Sequence, residues 1–307
     1  MVTLFICLVV VLVTSSCNMD DVIHAPEVDK YYRPATTSSS MQWSNVFDYT
    51  PAPGQFIGET KTGGFSGNES TAADAIAYAE ARMRGGSYLS LGGFGGYVVV
   101  GFDHSIDNVE GYDLAIKGNS FNGSSEPGIV WVMRDENGNS LPDDTWYELA
   151  GSETGAEGTI RDYSVTYYRP AAQKKPVKWV DSEGVEGQID YLSAYHTQPY
   201  YYPQWIEADS YTLTGTKLKE RNYDSSGKGS YWVLPEYDWG YVDNFSSIDR
   251  TESDKAVNVF DISRAIDSNG AAVELKYIDF VKVVTACNTK SGWLGELSTE
   301  VFDIYDI

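Results

Sequence analysis

Short runs of β-branched and aromatic residues, separated by Gly, Asn, Asp and Pro, fill the chain beyond residue 85. Such runs are typical of the strands and turns of an all-β sandwich or barrel. In some runs apolar and polar residues alternate, as Val257 and Val259 do with Asn258, so one face should be buried and the other exposed. The candidate strands are 97–102, 113–117, 129–133, 146–149, 164–168, 211–218, 231–234, 257–262, 273–285 and 301–305.

One helix is predicted ahead of these strands, over residues 71–84. Ser70 or Thr71 can cap its N-terminus, and Asp74 in the first turn complements the helix dipole. Gly85 supplies a C-terminal stop. The sequence therefore predicts an all-β domain with a single N-terminal helix.

Two segments far apart in the sequence, 101–126 and 278–304, resemble the paired halves of one sandwich. The phrases GFD at 101–103, GYDL at 111–114 and IDFVKV at 278–283 are similar to strands of the galactose-binding-like jelly-rolls of bacterial surface proteins. The resemblance implies one jelly-roll β-sandwich over residues 41–307. Residues from about 157 to 250 would form a long, aromatic-rich insertion.

The N-terminus has the pattern of an export signal. An apolar run over residues 2–13 is followed by Thr14, Ser15, Ser16 and Cys17. The run is too short for a membrane span, which takes about 20 residues. We therefore expect residues 1–16 to be a lipoprotein signal peptide and Cys17 to be lipidated; an ordinary secretory signal with an incidental cysteine is the alternative. Residues 17–40 lack periodicity and end in Thr and Ser, which predicts a flexible tether.

The charge balance argues against nucleic acid as a partner. The chain has 44 acidic and 22 basic residues, a net charge of -22, and no basic cluster that could follow a phosphate backbone.

Once the signal is removed, only Cys17 and Cys287 remain, so no disulfide framework is expected. Cys287 lies in an apolar run and is interpreted as a small core residue.

A loop between two candidate strands carries oxygen side chains at alternate positions, as a calcium ion requires. Trp146 stands where an EF-hand would place its bidentate glutamate, so that ligand must come from Asp143, Asp144, Glu148 or elsewhere. A β-turn that uses Asp, Asn and Gly for backbone geometry alone is the alternative. The predicted structural calcium ligands are Asp135, Asn137, Asn139, the carbonyl of Leu141, Asp143 and Asp144.

Aromatic residues cluster in the predicted insertion, partly in a proline-flanked stretch that we interpret as a loop. Their flat, rigid faces suit a sugar, a corrin ring or a partner protein. Packing in the core of the insertion is the alternative, and for each tryptophan alone it is favoured. The predicted ligand-binding residues are Tyr200, Tyr201, Tyr202, Trp205, Trp232, Tyr237, Trp239 and Tyr241.

No catalytic set stands out. The chain has 3 histidines, none at metal-ligand spacing with another, and no Gly-x-Ser-x-Gly elbow. The glycine-rich run 92–96 is not followed by a lysine or a helix, so it predicts a bend into the next strand rather than a phosphate-binding loop. We therefore expect a binding protein rather than an enzyme.

Several phrases together resemble a family of Bacteroidetes cell-surface lipoproteins associated with vitamin B12 uptake, the BtuH-like cobalamin-binding proteins. They are GYDLAIKGN at 111–119, EPGIVWVM at 126–133, WGYVDN at 239–244 and GELSTEV at 295–301. Asp20 and Asp21 behind Cys17 also resemble the surface-export signal of such lipoproteins. The resemblance implies an outer-membrane protein facing the cell exterior, which binds cobalamin and delivers it to a TonB-dependent transporter.

Other classes of function remain open. A glycan-binding module of a carbohydrate uptake system fits the sandwich, the loop and the aromatic residues nearly as well. A structural or adhesive protein would instead bury its aromatic residues against a transporter. A glycosidase or lyase comes last, since no catalytic group can be named.

Overall fold

The computed structural model describes residues 29–307. The predicted signal peptide, the lipidated Cys17 and the first part of the predicted tether lie outside the described residues. The described chain has one α-helix, α1 (Ala72–Arg84), and two short 3-10 helices, Ile262–Arg264 and Gly292–Leu294. The strands are β1 (Asn45–Thr50), β2 (Leu89–Ser90), β3 (Tyr97–Asp107), β4 (Leu114–Lys117), β5 (Gly128–Met133), β6 (Trp146–Leu149), β7 (Ile160–Tyr168), β8 (Val177–Asp181), β9 (Glu186–Ile189), β10 (Ser210–Lys217), β11 (Tyr223–Asp224), β12 (Trp232–Val233), β13 (Val257–Phe260), β14 (Ala265–Ile266), β15 (Tyr277–Thr285), β16 (Glu300–Val301) and β17 (Asp303–Asp306).

Antiparallel sheets form the main body. A six-stranded sheet has the order β1-β3-β15-β5-β6-β14, and a three-stranded sheet has the order β13-β4-β17. Val100 of β3 and Val281 of β15 share one buried core with Leu114 and Ile116 of β4 and Ile304 of β17. The two sheets therefore bury apolar faces in a common core, and the predicted all-β sandwich is confirmed.

Helix α1 has the predicted cap. The Asp74 N–H donates to Thr71 Oγ1 at 3.1 Å, and the Thr71 N–H donates to Asp74 Oδ2 at 2.9 Å. This reciprocal capping box satisfies two otherwise unpaired backbone donors. Ala75, Tyr78 and Met83 face the core, which fixes the helix on the sandwich. No helix in residues 29–307 is long and apolar enough to cross a membrane.

A third sheet, four-stranded and of order β10-β7-β8-β9, lies within the predicted insertion and has its own core. Tyr163 and Tyr167 of β7 pack there with Tyr201 and Tyr202. The boundaries of the insertion stay a prediction.

Cys287 lies in a third, smaller core and is 1% exposed, in keeping with its interpretation as a core residue.

Within the predicted tether, Arg33 contacts the rest of the chain. The Arg33 guanidinium donates to the carboxylate of Asp279 at 2.9 Å and to the carbonyl of Phe102 at 2.9 Å. The Arg33 N–H donates to Ser105 Oγ at 3.0 Å. A buried carboxylate 246 residues away thus holds Arg33 in place, and the bounds of the tether stay a prediction.

Candidate functional site

Four of the predicted ligand-binding aromatic residues are core residues. Tyr201 and Tyr202 are at most 1% exposed, and Tyr237 and Tyr241 at most 2%. Their hydroxyls have protein partners: Tyr201 and Tyr202, for example, donate to backbone carbonyls at 2.9 and 2.8 Å. Because each ring can satisfy its hydroxyl inside the protein, burial is favourable. The prediction that these four contact a ligand is therefore corrected to core packing.

The other four aromatic residues lie at three separate places. Tyr200 and Trp205 line one cleft. Trp232 is half-buried and packs against the core that contains Cys287. Trp239 lies in a shallow groove under Arg264, whose guanidinium carbon is 4.3 Å from the ring centroid. Of the predicted set, Tyr200 and Trp205 are therefore the two that share a cleft among the described clefts.

The cleft that contains Tyr200 and Trp205, which we call the glutamine cleft, has a volume of about 550 Å³. Gln173, Gln198 and Gln204 also line it, as do residues 58–61, Glu69 and Phe65, whose ring stacks on that of Trp205. The Gln198 amide donates to the carbonyls of Gln55 and Ile57, whereas its Oε1 has no hydrogen-bond partner among residues 29–307. The glutamine cleft thus combines aromatic surface with amide groups.

A second cleft also takes lining residues from the chain segment 195–200. We call it the acidic cleft; its volume is about 350 Å³. Its aromatic wall comprises Phe56, Tyr88, Tyr195, His196 and Trp293, and Glu126, Glu296 and Glu300 line the same space. Tyr195 and Trp293 are 61% and 46% exposed, with ring centroids 6.0 Å apart. None of these residues is among the ligand-binding or metal-binding residues predicted from the sequence.

Three carboxylates converge beside the acidic cleft. One oxygen each from Glu126, Asp243 and Glu300 lies within 4.8 Å of the others, and we call this group the carboxylate cluster. Asp243 Oδ1 accepts from the Asn119 N–H at 2.7 Å, and Oδ2 accepts from the Glu300 N–H at 3.0 Å. Ser298 Oγ donates to Glu300 at 2.6 Å. A cluster of this geometry could hold a metal ion.

Burial dominates the protonation behaviour of these acids. It raises the pKa of Glu126 to about 8, and the negative charge of Asp243 adds to the effect. It also raises the pKa of Asp243 and of Glu300 well above the usual range, with repulsion from the neighbouring carboxylate as the second cause in each case. Three such groups cannot all be ionised without a positive charge nearby, so they hold either protons or a cation.

The free energy of unfolding of the protein without a bound cation should depend on pH through Glu296. Burial raises its pKa from 4.5 to about 8, so the native state binds this proton more tightly than the unfolded state does. Its contribution to stability is complete below pH 4.5 and is lost as the pH rises towards 8. We expect urea unfolding to show a fall of up to about 1.4 kcal/mol per pH unit from this group.

Replacement of this glutamate is the matched test of the pH effect. Glu296→Gln should reduce the slope of the profile between pH 5 and pH 8 by up to about 1.4 kcal/mol per pH unit and leave the slope that Glu126 contributes, while Glu207→Gln, at an exposed glutamate, should leave the slope unchanged. An unchanged profile in Glu296→Gln would show that this carboxyl is not the titrating group.

The predicted calcium loop is closed by its own hydrogen bonds. Asp135, only 2% exposed, accepts from the N–H groups of Gly138 at 2.7 Å and Ser140 at 2.9 Å. The amides of Asn137 and Asn139 donate to the carboxylates of the loop, which are those of Asp143 and Asp144. Leu141 is 49% exposed, and its carbonyl accepts from the Asp143 N–H. The loop has the turn geometry of the alternative interpretation, and calcium there stays a prediction.

Comparison with known proteins does not assign a function to the chain, so the functional proposal rests on the geometry of the site. No protein-family model matches the chain, and no curated protein is significantly similar to it.

Proposed function

We propose that the protein binds a corrinoid at the glutamine cleft. The observation that carries the proposal is the meeting of Tyr200 and Trp205 with three glutamine side chains in one open cleft of about 550 Å³. This volume is within the range of small-molecule sites, which combine apolar walls with a few polar groups. A corrinoid is a broad ring fringed with amides, so an open cleft suits it because only one edge has to enter.

The biological setting of this proposal comes from the sequence. The N-terminal pattern supports lipidation at Cys17, and the family resemblance supports a position on the outer membrane with the domain facing the exterior. In that setting the protein captures the vitamin without transforming it. It then passes the ligand to a TonB-dependent transporter, which is its protein partner.

Tyr200→Ala is expected to weaken corrinoid capture about tenfold, because truncation of an aromatic anchor at a binding site costs more than about 1 kcal/mol. The measurement mixes the purified protein with cyanocobalamin and follows the visible absorbance of the corrin through gel filtration and titration. Tyr201→Ala is unsuitable because that ring is fully buried.

Tyr231→Ala is the matched control, since Tyr231 is 66% exposed and lines neither cleft. This variant should bind as the unmodified protein does. If the unmodified protein elutes without colour, the corrinoid proposal fails. If Tyr200→Ala binds normally, the ligand is bound but the glutamine cleft is not its site.

A glycan is the second candidate ligand, and the acidic cleft favours it. Tyr195 and Trp293 present exposed rings above buried carboxylates, and sugars bind through ring stacking and hydroxyl hydrogen bonds. A glycan array with the unmodified protein and Trp293→Ala separates the two candidates. Glycan binding that is lost in Trp293→Ala would favour the acidic cleft as the site.

We also propose calcium as a structural ion in the loop from Asp135 to Asp144. The proposal is supported by the alternate spacing of the loop oxygens and by the proximity of Asp143 and Asp144 to Asn137. Calcium would replace the amide donors around these two carboxylates. It is tested by comparing CaCl₂ binding to the unmodified protein with binding to Asp144→Asn.

A further inference from the structure

The carboxylate cluster is assembled by the fold rather than by local sequence. Glu126 precedes β5, Asp243 lies in the loop between β12 and β13, and Glu300 is in β16. Asp243 is 0% exposed and Glu300 is 2% exposed, while Glu126 is partly buried. One carboxyl oxygen from each of the three residues lies within 4.8 Å of the others, so like charges would repel strongly there unless a proton or a cation neutralises them.

Positive charge from the described part of the protein does not compensate this cluster. No Lys, Arg or His among residues 29–307 forms an ion pair with Glu126, Asp243 or Glu300. Buried carboxylates that lack such a partner are costly, and proteins usually pair them or use them to coordinate metals. The negative charge of the ionised cluster is therefore not neutralised by any side chain of residues 29–307.

Two further oxygen atoms beside the cluster lack partners within the described chain. Glu296, 4% exposed, lines the acidic cleft with Glu126 and Glu300; its Oε1 accepts from the Gln55 N–H, but its Oε2 has no hydrogen-bond partner in residues 29–307. Ser120, 5% exposed, hydrogen-bonds Asp243 through its backbone N–H, and its Oγ has no partner in the same range. Buried unsatisfied polar atoms in a native protein call for an explanation, and a bound ion is one of the recognised ones.

We propose that Glu126, Asp243 and Glu300 bind one divalent cation at the floor of the acidic cleft. All of the donors are oxygen atoms, which selects a hard ion such as Ca²⁺ or Mg²⁺ rather than Zn²⁺, which prefers nitrogen and sulfur. Glu126 and Glu300 line the cleft, whereas Asp243 lies behind them, so the open side of the ion faces the cleft. This proposal does not depend on the ligand proposed above.

The experiment titrates the chelator-treated full chain with CaCl₂ and, separately, with MgCl₂. Calorimetry gives the stoichiometry, and thermal unfolding gives the stabilisation. We expect one equivalent of either ion to bind at the cluster, in addition to the calcium proposed for the loop, and occupancy of the cluster to raise the Tm by at least about 5 °C at 100 times Kd. Glu300→Gln should weaken this binding at least tenfold, and Glu126→Gln, at a partly exposed position, should do the same if Glu300→Gln does not fold.

Asp144→Asn is the matched control because it removes one carboxylate from the predicted loop site and none from the cluster. The proposal requires cation binding to survive in Asp144→Asn. Loss of binding in that variant, with retention in Glu300→Gln, would assign the ion to the loop and overturn the proposal. Failure of the unmodified protein to bind either ion at millimolar concentration would also overturn it and would leave shared protons as the state of the cluster.

Discussion

Gly92→Ala is expected to destabilise the protein by about 4 kcal/mol or more, measured by urea unfolding. Gly92 has a φ of +69°, and a Cβ there would lie 2.0 Å from the carbonyl oxygen of Ala52 and 2.8 Å from its carbonyl carbon. These are backbone atoms in the core, so they cannot move aside cheaply. The overlap would separate the 92–96 bend from the segment that follows β1.

Gly155→Ala is the matched control for Gly92→Ala. Gly155 has a similar φ of +75°, but a Cβ at this position would have no atom of the described chain within 4 Å beyond its immediate neighbours. Its cost should be that of the left-handed backbone alone, about 1–2 kcal/mol. Equal losses in the two variants would contradict the steric argument and would leave backbone conformation as the only cause.

Asp279→Ala is expected to cost about 3 kcal/mol, because it leaves two buried donors without an acceptor and removes the partner of Arg33, whose side chain is 31% exposed. The Asp279 side chain is 0% exposed and accepts from Arg33 at 2.9 Å. It also accepts from Ser105 Oγ at 2.6 Å and from the Asp135 N–H at 2.8 Å. Asp279 therefore ties residues 31–40, strand β3 and the predicted calcium loop to β15.

Asp254→Ala tests the same chemistry at the surface. Asp254 pairs with Lys117 at 2.7 Å, but the two side chains are 42% and 39% exposed. Such a pair contributes about 1 kcal/mol or less. Hydrogen exchange should further show faster exchange of residues 31–40 in Asp279→Ala than in Asp254→Ala. If both variants lose the same small amount of stability, Asp279 is not the anchor that its contacts indicate.

The fold is predictable where local chemistry decides it. The capping box at Thr71 and Asp74 is a local signal, and α1 begins and ends within one residue of the prediction. Strand β6 has the predicted bounds, 146–149. Strand β3 continues five residues beyond its predicted end, because its last residues, Ile106 and Asp107, pair with Ile278 and Tyr277 of β15.

Alternation gives the wrong face in β13. The pattern predicts that Asn258 faces solvent between Val257 and Val259, but Asn258 is 0% exposed. Its amide donates to the carbonyl of Asn244 at 2.9 Å and to Asp249 Oδ1 at 3.2 Å. A buried amide becomes acceptable when distant groups satisfy it, and such partners leave no trace in the local pattern.

The candidate sites are also only partly predictable from the sequence, because some of their residues come together only in the folded chain. Tyr200 and Trp205 can be named because they lie close together in the sequence. The members of the carboxylate cluster are more than 50 residues apart from one another, so no spacing rule could group Glu126, Asp243 and Glu300. Tyr200 and Tyr201 are the same residue type at adjacent positions, so the sequence does not distinguish them. In the structure Tyr201 is buried and donates to the carbonyl of His196, whereas Tyr200 lines the glutamine cleft.

The segment 195–200 is a wall common to both clefts, with His196 on the acidic side and Tyr200 on the glutamine side. Gln198 ties this wall to the carbonyls of Gln55 and Ile57, and Tyr201 ties it to the carbonyl of His196. A ligand that displaced residues 195–200 at one cleft would also change the lining of the other cleft. By thermodynamic linkage, any such allosteric effect on affinity is the same in both directions.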